Sequence, residues 1–158
     1  MTKSGDCGNF YQVILQAAYN ARLLILDPFA RLHGADENDN AAMTRMLQIL
    51  ESISKKTGTA ILIVHHTGKA ATYNATSEMT NQGAARGASA LSSGLRWQIN
   101  MWSPSEKEVK QFSIDDSESK SWVRVSLVKA NYSRPIPDQL MRRGETGILR
   151  WFDRSLAN

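Results

Sequence analysis

Polar side chains that could contact a phosphate or a metal ion stand directly after two apolar runs. Asp27 follows the run at residues 23–26, and the adjacent pair His65 and His66 follows the run at residues 59–64. A carboxylate is an oxygen ligand suited to Mg²⁺, and a neutral histidine can donate a hydrogen bond to a phosphate oxygen. These residues form a candidate site if the fold brings the two runs together.

A helix between the two runs predicts that they do meet. Apolar residues recur at helical spacing from Met43 to Ile53, Asn40 is the expected N-cap, and Gly58 is the expected left-handed stop. A strand, a helix and a second strand form a βαβ unit, in which the strands are parallel. Ligands bind at the carboxyl ends of parallel strands, so we expect Asp27 and the histidine pair at one edge of the sheet.

The rest of the chain predicts an α/β first half and a mostly antiparallel β second half. Helices are expected at residues 10–21, capped by Asn9, and within residues 87–93. Spacing typical of a capping box begins at Ser103. Strands are predicted at residues 95–102 and 122–128, with a hairpin at residues 140–152; in the first of these strands, Leu95, Trp97, Ile99 and Met101 share one face.

Composition narrows the class of protein. The 158 residues are 42% hydrophobic and 22% charged, which fits one packed domain. No apolar run approaches the roughly 18 residues of a membrane span, and the N-terminus shows no secretory signal. The one cysteine, Cys7, excludes an internal disulfide and indicates a reducing compartment. We expect a cytoplasmic protein, and its net charge of +4 is compatible with a nucleic acid or a nucleotide as partner.

Simpler interpretations stay open for the candidate site. An aspartate after four apolar residues is typical of a Walker B motif, which orders Mg²⁺ at a nucleotide, but Asp27 with Pro28 could also simply begin a turn. The histidine pair could only cap its strand. Neighbouring side chains on a strand point to opposite faces, which argues against both histidines binding one metal. A metal site of His33, Asp36 and one histidine remains an alternative.

A polar stretch at residues 67–85 carries further candidates. A connection of this length without periodicity is typically functional or disordered. Lys69 and Tyr73 would suit backbone contact and base stacking with single-stranded DNA. Arg86, directly after the stretch, could reach a phosphate. An ordinary solvated loop is the alternative for all three residues.

The phosphate cradle of a nucleotide-hydrolysing site is missing from this sequence. The motif would be G-x-x-x-x-G-K-[ST]. The pair Gly68–Lys69 is followed by Ala70, and Ile63 occupies the position of the first glycine. We therefore predict weak or no ATP binding, and no hydrolysis, by this chain alone.

Four ordered blocks resemble the RecA-type hexameric helicases, closest to the plasmid replication helicase RepA family. The blocks are LLILD at residues 23–27 with RLH at 31–33, VHHTGK at 64–69, ARGAS at 85–89 with LRWQ at 95–98, and VKANY at 128–132. The resemblance runs from about residue 10 to about residue 152. It implies a truncated RecA-like P-loop NTPase core that uses ATP and Mg²⁺, with the P-loop half before Met1. The chain would then be a fragment or remnant of a DNA-dependent ATPase or replicative helicase.

The resemblance also implies roles for individual residues. Asp27 would be the Walker B carboxylate, and it would hold Mg²⁺ through water. His65 and His66 would be the sensor that contacts the γ-phosphate. Arg86 would be the arginine finger inserted into the neighbouring subunit's site, and Lys129 would also approach the subunit interface and the nucleotide.

The implied partners follow from these roles. The segment at residues 67–85 would face single-stranded DNA in the channel of a ring, with Lys69 and Tyr73 as contacts. The chain would form a homo-oligomer or pair with the missing N-terminal half, because truncation leaves an open sheet edge. No membrane partner is implied.

Two functions of other classes stay open beside the helicase interpretation. A non-catalytic single-stranded DNA-binding or regulatory module for plasmid or phage replication would keep the basic loop without the chemistry. A small metal-dependent hydrolase would instead use Asp27, Asp36 and the histidines.

Overall fold

The computed structural model describes residues 6–34, 36–37, 39–66 and 88–152. Contacts divide these residues into two compact units, one of residues 6–66 and 88–94 and the other of residues 95–152. The first unit contains a parallel pair of strands and the second an antiparallel sheet. The predicted mixed α/β class is therefore confirmed. Among the described helices, none has the length and apolarity to cross a bilayer.

The first unit is built around a βαβ crossover. Its elements are α1 (Asp6–Ala18), β1 (Leu23–Leu26), a 3₁₀ turn (Phe29–Arg31), α2 (Asn40–Thr57), β2 (Ala60–Ile63) and α3 (Ala88–Gly94). Strands β1 and β2 pair in parallel, with Leu23 opposite Ala60 and Leu26 opposite Ile63. The predicted strand–helix–strand unit and its parallel strands are confirmed.

Capping residues set the ends of α2. The Asp39 carboxylate accepts hydrogen bonds from the backbone N–H groups of Ala41, at 2.8 Å, and Ala42, at 3.1 Å. The N-cap is therefore Asp39 and not the predicted Asn40, because an ionised carboxylate can accept from both amides. Gly58 ends the helix as predicted, with a φ of +74° that a side chain would disfavour.

The predicted bounds of α1 were wrong at both ends. The helix begins at Asp6, before the expected cap Asn9, and ends at Ala18. Asn20 adopts a φ of +66°, and this left-handed conformation prevents the helix from reaching residue 21. Ala21, the apolar position of the expected helix beyond Ala18, therefore lies after a turn and outside the helix.

The core of the first unit lies between its helices and one face of β1–β2. Apolar side chains of α2 make up half of its described buried apolar residues, and they are Ala42, Met43, Met46, Leu47, Leu50 and Ile53. Helix α3 packs closely on α2, since a Cβ added to Gly94 would lie 2.6 Å from Leu47 Cδ1. The other face of the strand pair, with Leu23, Ile25 and Leu62, is exposed.

The second unit is a four-stranded antiparallel sheet in the order β3–β4–β5–β6. Its elements are β3 (Trp97–Trp102), α4 (Glu106–Gln111), a 3₁₀ helix (Asp116–Ser121), β4 (Trp122–Ala130), β5 (Gln139–Arg143) and β6 (Leu149–Trp151). The predicted strands and the hairpin are confirmed. The alternation in β3 is also confirmed, but its apolar face is the exposed one: Gln98, Asn100 and Trp102 are buried, whereas Trp97, Ile99 and Met101 are exposed.

A capping box and an ion-pair network hold α4 in this unit. Ser105 Oγ accepts from Glu108 N at 3.3 Å, and the Glu108 carboxylate accepts from Ser105 N at 2.9 Å. The sequence predicted a capping box that begins at Ser103. The observed N-cap is Ser105, two residues later. Arg124 of β4 joins Glu108, at 3.2 Å, to Asp138, at 3.1 Å. The helix and both strands of the β4–β5 pair are thereby linked.

Thr59 offers a test of how the first unit is assembled. It is fully buried, and its hydroxyl donates to Ala18 O at 2.6 Å and Ala21 O at 2.8 Å, which ties the end of α1 to the start of β2. Thr59→Val keeps the shape but removes the donor, so we expect the free energy of unfolding to fall by about 1–3 kcal/mol.

The measurement is urea unfolding of the variant beside a matched control, Thr44→Val. Thr44 also donates to a carbonyl, Asn40 O at 2.8 Å, but at an exposed site. The control should stay within about 0.5 kcal/mol of the parent. Equal losses in the two variants would contradict the structural role assigned to Thr59.

Candidate functional site

Two backbone hydrogen bonds to one residue fix the position of Asp27. Val64 N donates to Leu26 O at 2.9 Å, and Val64 O accepts from Phe29 N at 2.9 Å. Asp27 and Pro28 are the residues between these two bonds, and the register places Asp27 beside Val64, directly before His65. Phe29 is fully buried and anchors the chain after the turn. The exposed carboxyl group of Asp27 thus stands at the carboxyl edge of β1–β2, as predicted.

His65 lies at the same edge and contacts an acid that the sequence did not single out. Its Nε2 is 3.2 Å from Glu37 Oε1, and the two side chains are 8% and 19% exposed. The contact lacks hydrogen-bond geometry, and neither ring nitrogen of His65 has a hydrogen-bond partner in the described part of the chain. A buried ring nitrogen without a partner is a group that can bind a ligand.

His66 differs from its neighbour in being exposed. The pair therefore does not present both rings to one point, in line with the expectation for adjacent residues in extended chain. His33 packs its ring on Phe29, with centroids 4.5 Å apart. The loop between β1 and α2 thus lies over the strand ends, with Phe29 and Glu37 as its contacts there.

Other predicted site residues fall elsewhere. Lys69, Tyr73 and Arg86 lie outside the described residues. Lys129 is on β4 in the second unit, half-buried and paired across the sheet with Gln98. Of the predicted set, the first unit brings Asp27 and the histidine pair to one edge.

Glu37 is the residue that sequence reasoning missed. The loop between β1 and α2 carries several acids, and spacing does not distinguish among them because a loop has no periodic face. Glu37 lies near His33 in the chain, but this nearness does not predict a contact between Glu37 and His65. Only the path of the loop places its carboxylate on that ring.

The donor set at this edge can be compared with what a metal ion held by protein side chains would need. Within the described ranges, no group of three or more His, Cys, Asp or Glu side chains could hold a metal ion. The alternative site of His33, Asp36 and a histidine is therefore not assembled there. One exposed carboxylate is sufficient for Mg²⁺ when phosphates and water supply the other ligands, so Asp27 fits this ion.

Replacing Glu37 tests its contact with His65. A negative carboxylate 3.2 Å from Nε2 favours the tautomer of His65 that has its proton on this nitrogen. In Glu37→Gln the side chain can also donate, and the ring ¹⁵N resonances of His65 should shift toward the other tautomer. The exposed His66 should keep its resonances and serves as the internal control. Unchanged His65 resonances would show that Glu37 does not orient this ring.

Comparison with known families identifies the segment that carries this edge. Residues 9–72 match the model of a family described as the AAA domain. The match contains β1, α2 and β2, together with Asp27, Glu37 and the histidine pair. The part of the chain that forms the candidate site is therefore similar to AAA-type ATPase domains.

Proposed function

We propose that this chain supplies the Walker B and sensor part of a DNA-dependent ATPase, of the kind found in RepA-like replicative helicases. One observation carries the proposal: β1 and β2 are parallel, so Asp27, directly after β1, and His65, two residues after β2, lie at the same carboxyl edge. A carboxylate and a histidine at the carboxyl edge of such strands are suited to a nucleotide phosphate and its metal. The match of residues 9–72 to the AAA domain supports the same function.

Each residue at the edge has a distinct task in this proposal. Asp27 would hold Mg²⁺ through water, and the bound ion would supply positive charge next to the phosphate groups. The Nε2–H of His65, which makes no hydrogen bond to Glu37, donates to a phosphate oxygen, and the nearby Glu37 carboxylate favours the proton on that nitrogen. His66, which is exposed, is the second histidine of the proposed sensor. None of these residues provides a nucleophile or a phosphate cradle.

The phosphate cradle has to come from residues outside this sequence or from a second chain. In the described part of the first unit, β1 and β2 pair only with each other, so each strand keeps an open edge. An open edge can accept a further strand, and a strand that ends in a P-loop could pair there. We infer that the chain is the second half of a RecA-like core and hydrolyses no ATP by itself.

The remaining family positions extend the proposal to an assembly. Arg86 would act as an arginine finger on a neighbouring subunit's nucleotide, and Lys129 would approach the same interface. Lys69 and Tyr73 would contact single-stranded DNA. These roles require a homo-oligomer or a complex with the P-loop half.

Nucleotide binding tests the proposed role of Asp27. We expect the purified chain to bind a fluorescent ATP analogue weakly, only with Mg²⁺, and without turnover. Asp27→Asn should weaken this binding by about tenfold or more, since the carboxylate that orders the ion is lost. The measurement is fluorescence anisotropy with and without the metal.

Asp36→Asn is the matched control. Asp36 is an exposed acid of the same loop, and its replacement should leave binding unchanged. Binding that persists in Asp27→Asn, or that does not need Mg²⁺, would contradict the Walker B assignment. Magnesium-dependent turnover by the pure chain, lost in Asp27→Asn, would contradict the need for a separate phosphate cradle.

A further inference from the structure

The second unit presents aromatic rings to solvent at one end of the β3–β4 pair. Trp97 is 52% exposed and Tyr132 is 80% exposed. Trp97 pairs with Ala130 across the strands, and Asn131 N donates to Arg96 O at 3.0 Å, so Tyr132 follows directly after the ladder. We call Arg96, Trp97 and Tyr132 the aromatic end of the sheet.

Arg96 is part of this end and is held in place there. Its Nη1 donates to the Tyr132 hydroxyl oxygen at 2.8 Å, and its side chain is exposed. The remaining guanidinium N–H groups can donate to further acceptors. An exposed guanidinium that is hydrogen-bonded to Tyr132 and next in the chain to Trp97 combines a phosphate-binding group with two exposed rings on which bases can stack.

The charge around this end has one sign. Residues 95–105 and 122–137, which contain both strands, include no Asp or Glu. The acids that pair with β4, Glu108 and Asp138, both contact Arg124, toward the other end of that strand. Lys129 and Arg134 add positive charge on either side of Tyr132. This distribution is complementary to a polyanion.

From these observations we infer that the aromatic end binds single-stranded nucleic acid. Bases stack on Trp97 and Tyr132, while Arg96 donates to a backbone phosphate. Every base has a flat face, so the contact tolerates different sequences. The inference does not depend on the nucleotide site of the first unit, and it assigns DNA contacts to residues other than Lys69 and Tyr73.

Fluorescence anisotropy of a labelled oligo(dT) of about 16 nucleotides tests the inference without ATP. Trp97→Ala should weaken binding by about tenfold, which is typical for the loss of one stacked base. Arg96→Ala should reduce the slope of log K against log salt by about 0.7, the value for one phosphate contact on a single strand.

Two controls make the result specific. Trp151 on β6 is 62% exposed, and Trp151→Ala should bind like the parent because its ring lies on the opposite edge strand of the sheet. The double variant Lys69→Ala and Tyr73→Ala reports on the loop separately. An effect of Trp97→Ala in that background as well would support an independent surface.

Three outcomes would overturn the inference. The parent chain could fail to bind oligo(dT), Trp97→Ala could bind like the parent, or Trp151→Ala could lose as much affinity. If Trp97→Ala instead abolished a concentration-dependent dimer seen by size-exclusion chromatography, without any change in DNA binding, the face would be an interface between copies. Because no nucleotide is present, failure here would leave the result of the ATP-binding experiment standing.

Discussion

The candidate site depends on the pairing of Val64 with the chain on both sides of Asp27. One peptide unit before the aspartate and one after it are bonded to the same residue of the neighbouring segment. This leaves the aspartate turn little freedom to move away from His65. A buried hydrogen bond of the backbone is costly to leave unmade, so the edge keeps its geometry before any ligand arrives.

The remaining structure of the first unit serves to keep these strands parallel and in register. Helix α2 makes the crossover, begins at a carboxylate cap and ends at a glycine, and buries an apolar stripe against its neighbours. Thr59 then ties the start of β2 to the end of α1. The loop between β1 and α2 is anchored by Phe29 and brings Glu37 to His65. Packing, capping and the contact between Glu37 and His65 therefore act on the same strand ends.

Much of this arrangement could be predicted from the sequence because periodicity and turn residues are local signals. A βαβ unit is specified by the apolar runs, the stripe of α2 and Gly58. Because its strands are parallel, their carboxyl ends meet at one edge, and Asp27 lies near the histidines. Features that depend on tertiary contacts could not be predicted. Glu37 lies in a loop without periodicity, and the choice of Asp39 over Asn40 as cap depends on which side chain reaches the free amides. In β3 the pattern showed alternation but not which face is buried.

Locating a nucleotide-bound metal on the chain tests whether Asp27 and His65 form a nucleotide-binding edge. Mn²⁺ can replace Mg²⁺, and its unpaired electrons broaden nearby NMR signals. With Mn²⁺ and ATP, we expect the amide signals around Asp27 and His65 to broaden first, and Asp27→Asn to remove the effect. Broadening centred on other residues, or unchanged by that substitution, would contradict the proposed nucleotide edge.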